Sequence, residues 1–161
     1  MKLITNSKSL TKEFKRLIIQ YNNFYWASAW ASSKSEIFEL LRNHRSKIKK
    51  LVVGIHFYQT DPNFINEFLN EDTVHFIEQP DGTFHPKIYL FINDELDWEL
   101  IVGSANFTHS AFTKNTEASI LLNHESNKAD MVLSDSLKLI EKAFNDGKVF
   151  NEIDLENYKI A

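Results

Sequence analysis

Apolar positions along this chain follow two different spacings. Leu10, Phe14, Leu17, Ile18 and Tyr21 recur at the three- and four-residue steps of one helical face, which predicts an amphipathic helix over residues 10–21. Phe24 to Ala31 holds aromatic and small residues and no charge, the pattern of a buried strand. Ser33 followed by Glu36 is a capping-box signal, and Ile37, Leu40 and Leu41 supply the apolar stripe of a second helix. Leu51 to Ile55 is short, apolar and rich in β-branched residues, as a central strand requires. Asp61-Pro62 is a helix start, because Asp caps the first free amides and Pro fits the first turn; Phe64, Ile65, Phe68 and Leu69 follow. Thr73 to Ile77 reads as a further strand, and Gln79-Pro80-Asp81-Gly82 as a turn.

The second half changes character. Phe84 to Ile92 and Trp98 to Val102 read as a hairpin across the polar Asn93-Asp94-Glu95 turn. Gly103 to Asn115 is small and polar, a loop, and Glu117 to Leu122 is another strand. Lys128 to Asn145 is an amphipathic closing helix with Met131, Leu137, Ile140 and Phe144 on its apolar side and Gly147 beyond its end. Strands alternating with helices, then a run of strands, predict an α/β fold: a mixed β-sheet flanked by helices on both faces. With no linker and no internal repeat, residues 1–161 are expected to form a single domain.

Composition narrows the function classes. With 43% hydrophobic and 25% charged residues, a disordered chain is excluded. Cysteine is absent, so there is no disulfide, no thiol nucleophile and no cysteine-ligated metal. Charges occupy the first residues where a signal peptide would be apolar, and no run is long enough to span a bilayer. The expectation is a cytoplasmic chain with no membrane partner. A net charge of −4 argues against coating nucleic acid by bulk electrostatics, yet leaves room for an enzyme with a small basic pocket.

The basic residues Arg42, Arg45, Lys47, Lys49 and Lys50 could contact a DNA backbone, but a helix C-terminus followed by a solvated loop is the favoured reading. Trp26 and Trp30 could stack on bases; in an uncharged strand, core packing is favoured. His109 reads as a surface loop residue, with substrate contact as the alternative. His44, His56, His75 and His124 show no metal-ligand pattern, and neither a metal nor another cofactor is expected.

The informative stretch is His85-Pro86-Lys87 followed by Gly103-Ser104-Ala105-Asn106. In a strand, His85, Lys87 and Tyr89 would share one face. The hairpin then returns the chain, so the Gly-Ser turn can bring Asn106 to the same place. An imidazole can attack phosphorus or give a proton near neutral pH, a lysine supplies positive charge, and an asparagine amide donates without titrating. Such a group suits an oxyanion, a phosphodiester above all.

His85-x-Lys87 with Gly103-Ser104-x-Asn106 resembles the signature of the phospholipase D, or HKD, phosphodiesterase superfamily. The run Gly103 to Thr108, followed by Asn115-Thr116-Glu117-Ala118, is similar to its nuclease branch, which includes small non-specific nucleases and catalytic domains of metal-independent restriction enzymes. One position departs from the pattern: the usual aspartate is replaced by Ile92, as in members of the restriction-enzyme-like group. The resemblance implies that His85 attacks phosphorus and forms a phosphohistidine. Lys87 and Asn106 would hold the non-bridging oxygens, with Ser104 shaping the phosphate pocket. Glu117 would accept a hydrogen bond from the other ring nitrogen of His85, fixing its tautomer.

Two histidines are needed, one as nucleophile and one as general acid for the leaving oxygen. Only His85 has lysine two positions on. A homodimer with two copies of His85 across a two-fold axis is therefore expected, with one composite site. The first reading is a metal-independent DNA endonuclease, a hydrolase either standing alone or working with a separate recognition or helicase domain. The alternatives are a phosphodiesterase acting on a lipid or other small diester, and a non-catalytic binding domain that keeps the fold.

Overall fold

The computed structural model describes residues 1–161. It opens with strand β1 (Lys2–Ile4) and helix α1 (Ser7–Gln20), whose cap Asn6 accepts a bond from the Ser9 amide. Strand β2 (Asn23–Ser28) leads through α2 (Glu36–Asn43) to β3 (Ile48–Gly54), and α3 (Pro62–Glu67) leads to β4 (Val74–Ile77). The hairpin is β5 (Lys87–Asp94) with β6 (Asp97–Gly103). A short helix α4 (His109–Thr113), strand β7 (Ser119–Asn123) and helices α5 (Ala129–Asp146) and α6 (Glu152–Ile160) complete the chain.

All seven strands form one mixed sheet in the order β1-β7-β6-β5-β2-β3-β4. The β2–β3 and β3–β4 pairs are parallel and the rest antiparallel. This division follows the connections: parallel neighbours are joined through helices, and β5 to β6 through a tight turn. Helices lie on both faces, as expected, but unequally. The larger core cluster joins α1, α2, α3, α4 and α6 to one face, while α5 alone covers the other.

Phe14 on α1 sits at the centre of the larger core. Its ring lies 5.0 Å from Tyr89 and from Phe112, and 5.8 Å from Trp26, all edge-on. Full burial of such a side chain contributes roughly 1.5–3 kcal/mol, and the edge-on geometry adds to it. This packing fixes β2, β5 and the segment after β6 against α1.

Several sequence expectations are corrected locally. The cap of α2 is Ser35, whose Oγ accepts the Phe38 amide at 3.0 Å; Ser33 instead donates to Asp61, the cap of α3. The stretch 103–115 is not all loop, because Thr108 caps α4 and accepts the Ala111 amide. Strand β5 begins at Lys87, so His85 stands in the extended lead-in before it and not on the strand. Trp26 is core, whereas Trp30 is only half-buried. The short elements β1 and α6 have no counterpart in the periodicity reading.

Candidate active site

The proposed site residues come from three segments at one end of the sheet. Lys87 is the first residue of β5 and pairs in register with Ser28 of β2. Its side chain is almost wholly buried and turns back onto His85. The ammonium lies 2.6 Å from Nδ1 and 2.8 Å from Nε2 of the imidazole, and donates to the His85 carbonyl at 2.9 Å. The His85 ring is exposed and is met edge-on by Trp30 at 5.3 Å. Partial desolvation, and then the adjacent ammonium, hold the His85 pKa below its ordinary value. The shift favours the neutral ring, the state in which a nitrogen lone pair can attack. Burial also lowers the pKa of Lys87, and the nearby Glu117 carboxylate opposes that shift.

Asn106 follows β6 between two buried core residues, Ala105 and Phe107, and is itself half-buried in the wall of a groove. Its Oδ1 accepts the Trp30 amide N–H at 3.4 Å, which leaves Nδ2 as a donor. Ser104 sits where β6 and β7 part. Its amide donates to the Ala118 carbonyl, its Oγ accepts the Ala118 amide at 2.9 Å, and the same Oγ donates to Glu117 at 2.7 Å.

Glu117 is thus placed differently from the expected role. Its second oxygen accepts from Asn115 at 3.0 Å, and neither oxygen bonds His85 within this chain. The structure brings His85 to Lys87 and Ser104 to Glu117, and links Asn106 to the His85 ring only through Trp30.

One residue that the sequence motif does not include joins Trp30 and the Asn106 segment to β5. Ser28 is fully buried. Its Oγ donates to the Trp30 carbonyl at 2.7 Å and accepts the Phe107 amide at 3.0 Å and the Tyr89 hydroxyl at 3.2 Å. Tyr89 also lies 2.7 Å from the Ala105 carbonyl, which its hydroxyl can reach as donor. One sequence signal was available: a small hydroxyl residue inside an otherwise apolar strand needs partners when buried.

The basic stretch is largely committed within the fold. Arg42 pairs with Glu39, Arg45 with Glu67 and Glu71, and Lys50 with Glu141. Lys47 caps the last carbonyls of α1 at Ile18 and Ile19. His109 is exposed at the start of α4. No group of three or more His, Asp or Glu side chains is arranged to hold a metal ion. Two hollows flank the centre. One, of about 710 Å³, lies beside His85 between the β4–β5 connection and the end of α5. The other, about 520 Å³, runs from Asn106 past Trp30 and Lys34 to His109.

Residues 8–146 match the family described as the NgoFVII restriction endonuclease N-terminal PLD domain. Among solved structures, the fold is similar to Nuc, a phospholipase D family member from Salmonella typhimurium. The TM-score is 0.69 at 17% identity, over 94% of this chain and 99% of that one. It is also similar to NucT from Helicobacter pylori, with a TM-score of 0.64 at 14% identity, over 92% and 98% of the two chains. A more distant likeness is to polyphosphate kinase from Porphyromonas gingivalis, with a TM-score of 0.58 at 12% identity over 88% of this chain and 26% of that one. No curated protein matches the chain significantly.

Proposed function

The chain belongs to the family of the NgoFVII restriction endonuclease N-terminal PLD domain, and from that membership we propose that it is a metal-independent endonuclease cutting DNA through a covalent phosphohistidine. The observation that carries the reading is the contact between the buried Lys87 ammonium and the exposed His85 ring, with Trp30 meeting that ring edge-on and donating its amide to Asn106.

In the first step a His85 nitrogen attacks phosphorus. The P–N bond forms as the P–O bond to the leaving sugar breaks. Lys87 and the Asn106 amide receive the non-bridging oxygens, where charge must be offset in the transition state. The leaving oxygen takes a proton from a second, protonated imidazole. This chain has one His-x-Lys, so we assign that imidazole to His85 of a second copy across a two-fold axis. In the second step the now neutral second imidazole takes a proton from water. The hydroxide attacks phosphorus, the P–N bond breaks, and both histidines return to their starting states.

Ser104 acts here as a positioning residue, holding Glu117 and the β6–β7 ends. Residues 1–161 form one catalytic domain in this reading. The reading is tested by incubating plasmid and single-stranded DNA with the protein in excess EDTA, beside His85→Ala. EDTA-resistant cutting lost in the variant supports it, together with end-labelled DNA that stays on denatured protein in alkali and leaves it in acid. Equal cutting by His85→Ala, or cutting abolished by EDTA, overturns it.

A further inference from the structure

A nucleophilic imidazole must point one lone pair at phosphorus, so something has to orient its ring. Neither Glu117 oxygen bonds His85, and the exposed ring stands in the lead-in before β5 without the restraint of a strand. Two side chains meet it. The Lys87 ammonium lies 2.6 Å from one ring nitrogen and 2.8 Å from the other, so it does not distinguish them. The other side chain is the Trp30 indole, with the ring centroids 5.3 Å apart and the planes at 77°. Such an edge-on contact is directional, because the ring charge distribution favours it over other tilts.

Trp30 is itself held from three directions. Its carbonyl accepts the Ser28 hydroxyl at 2.7 Å, and its amide donates to Asn106 Oδ1 at 3.4 Å. Its indole N–H donates to the His56 carbonyl at 2.9 Å, so the ring cannot turn without losing that bond. His56 is buried and fixed in turn, since its Nε2 accepts the Gln79 amide at 3.1 Å. The next residue, Ala31, is fully buried, bridges Phe107 and donates its amide to Thr60. Core packing does not account for these bonds. The other two tryptophans, Trp26 and Trp98, are buried to 1% exposure, whereas Trp30 is only half-buried. One residue thus touches the His85 ring with its side chain and Asn106 with its main chain.

We propose that Trp30 is a positioning residue of the phosphoryl transfer: its indole orients the His85 imidazole while its amide holds Asn106, which fixes the nucleophile and the oxygen-binding amide relative to each other. This rests on the nuclease reading. It gives to an aromatic ring the orienting part that the motif resemblance assigned to Glu117, which here is engaged by Ser104 and Asn115. The anchors at Ser28 and His56 then act on the chemistry through Trp30 alone.

The test compares the full chain with Trp30→Leu, which removes the aromatic ring, and Trp30→Phe, which keeps a ring but not the N–H. Steady-state cleavage of a single-stranded oligodeoxynucleotide in EDTA is read beside the melting temperature and the NMR signals of the His85 ring protons. In Trp30→Leu, kcat is expected to fall roughly 10- to 100-fold with KM nearly unchanged. The His85 signals should lose the ring-current displacement that a neighbouring indole imposes. Trp30→Phe should recover most of kcat and leave the His85 signals between those of wild type and Trp30→Leu. An unchanged kcat in Trp30→Leu overturns the proposal. So does a fall in kcat that tracks the melting temperature while the His85 signals stay in place, and so does a rise in KM alone, which would make the indole a surface for substrate. Should Trp30→Leu not fold, Trp30→Phe decides, because its smaller ring must move the His85 signals, and unmoved signals overturn the proposal. If the wild type cuts nothing, the nuclease reading fails by itself, and the His85 signals of the three proteins still test the positioning: equal signals overturn it.

Discussion

Ser28 and Tyr89, on neighbouring antiparallel strands, share a buried hydrogen bond of 3.2 Å, and between them they tie the main chain at Trp30 and at Ala105–Phe107 to the strand that begins at Lys87. Ser28 touches the Trp30 and Phe107 main chain, while Tyr89 reaches Ala105. Replacing Ser28 with Ala leaves the buried Phe107 amide without its acceptor. The expected cost is about 1–3 kcal/mol in denaturant unfolding. Asn106, between Ala105 and Phe107, shifts with it, so kcat is expected to fall by up to about 100-fold. Tyr89→Phe loses only the bonds to Ala105 and Ser28 and is expected to be milder on both measures. Full activity in Ser28→Ala would show that the loop holds itself.

The lowered pKa of His85 has a defined sign. Below that pKa the imidazolium forms and the attacking lone pair is lost. The acid limb of kcat/KM is therefore expected below the ordinary histidine value of about 6.5. Titration of the His85 ring by NMR should give the same displaced midpoint. In Lys87→Gln the midpoint should move up, since one of its two causes is removed, and should stay below the ordinary value because desolvation remains. A midpoint unmoved by Lys87→Gln would separate the two side chains electrostatically.

The proposed site with two copies of His85 would make activity depend on both subunits. When wild type and His85→Ala are unfolded together and refolded at varied ratios, activity is expected to follow the square of the wild-type fraction. A linear dependence would assign a complete site to each chain.

Gly103 ends β6 directly before Ser104. A Cβ there would fall 2.3 Å from the Ala118 carbonyl oxygen and 2.6 Å from Ser119 Cα, both main-chain atoms. Gly103→Ala must therefore part β6 from β7 where Ser104 holds Glu117. The expected outcome is a loss of about 1–3 kcal/mol with a fall in kcat. Normal stability and activity would mean that the strand ends open freely.

Arg16 on α1 bridges Glu13 and Glu99, with contacts of 2.7 Å to each, and Tyr21 adds a hydrogen bond to Glu99. Burial alone would raise both carboxylate pKa values, but hydrogen bonding and charge from Arg16, aided by Lys2 at Glu13 and Tyr21 at Glu99, reverse this and lower them. Their contribution is present above the ordinary carboxylate value and is lost as pH falls through the lowered one. Arg16→Ala is expected to cost roughly 1–3 kcal/mol near neutral pH, at the low end because the guanidinium is 39% exposed. The difference from wild type should shrink in acid, as pH-dependent chemical denaturation would reveal.

Much of the architecture was legible from local pattern. The stripes of α1 and α5, the Asp61-Pro62 start of α3 and the β5–β6 hairpin are each specified within about a dozen residues, because helix and strand periodicity act over that range. His85, Lys87 and Asn106 pointed to a phosphodiester through their residue types, whereas the roles of Ser104 and Glu117 came from the resemblance to the phospholipase D superfamily. Ser33 and Ser35 were confused because both precede a helical stripe, and only the path to Asp61 separates them.

The residue types available for chemistry, the helical faces and the mixed sheet were thus determined by sequence alone. Tertiary structure decided the rest: that Lys87 lies against His85, that Glu117 is engaged by Ser104 and Asn115, and that Trp30 leaves the core to edge the site. It also decided that the basic stretch from Arg42 to Lys50 would mostly be spent on carboxylates and carbonyls of the same fold. The reason is distance along the chain. Contacts such as Ser104–Glu117, Trp30–His56 and Arg45–Glu67 join residues far apart in sequence, and even the near pairs Lys87–His85 and Asn115–Glu117 take their geometry from strand ends and packing, which no short-range periodicity encodes.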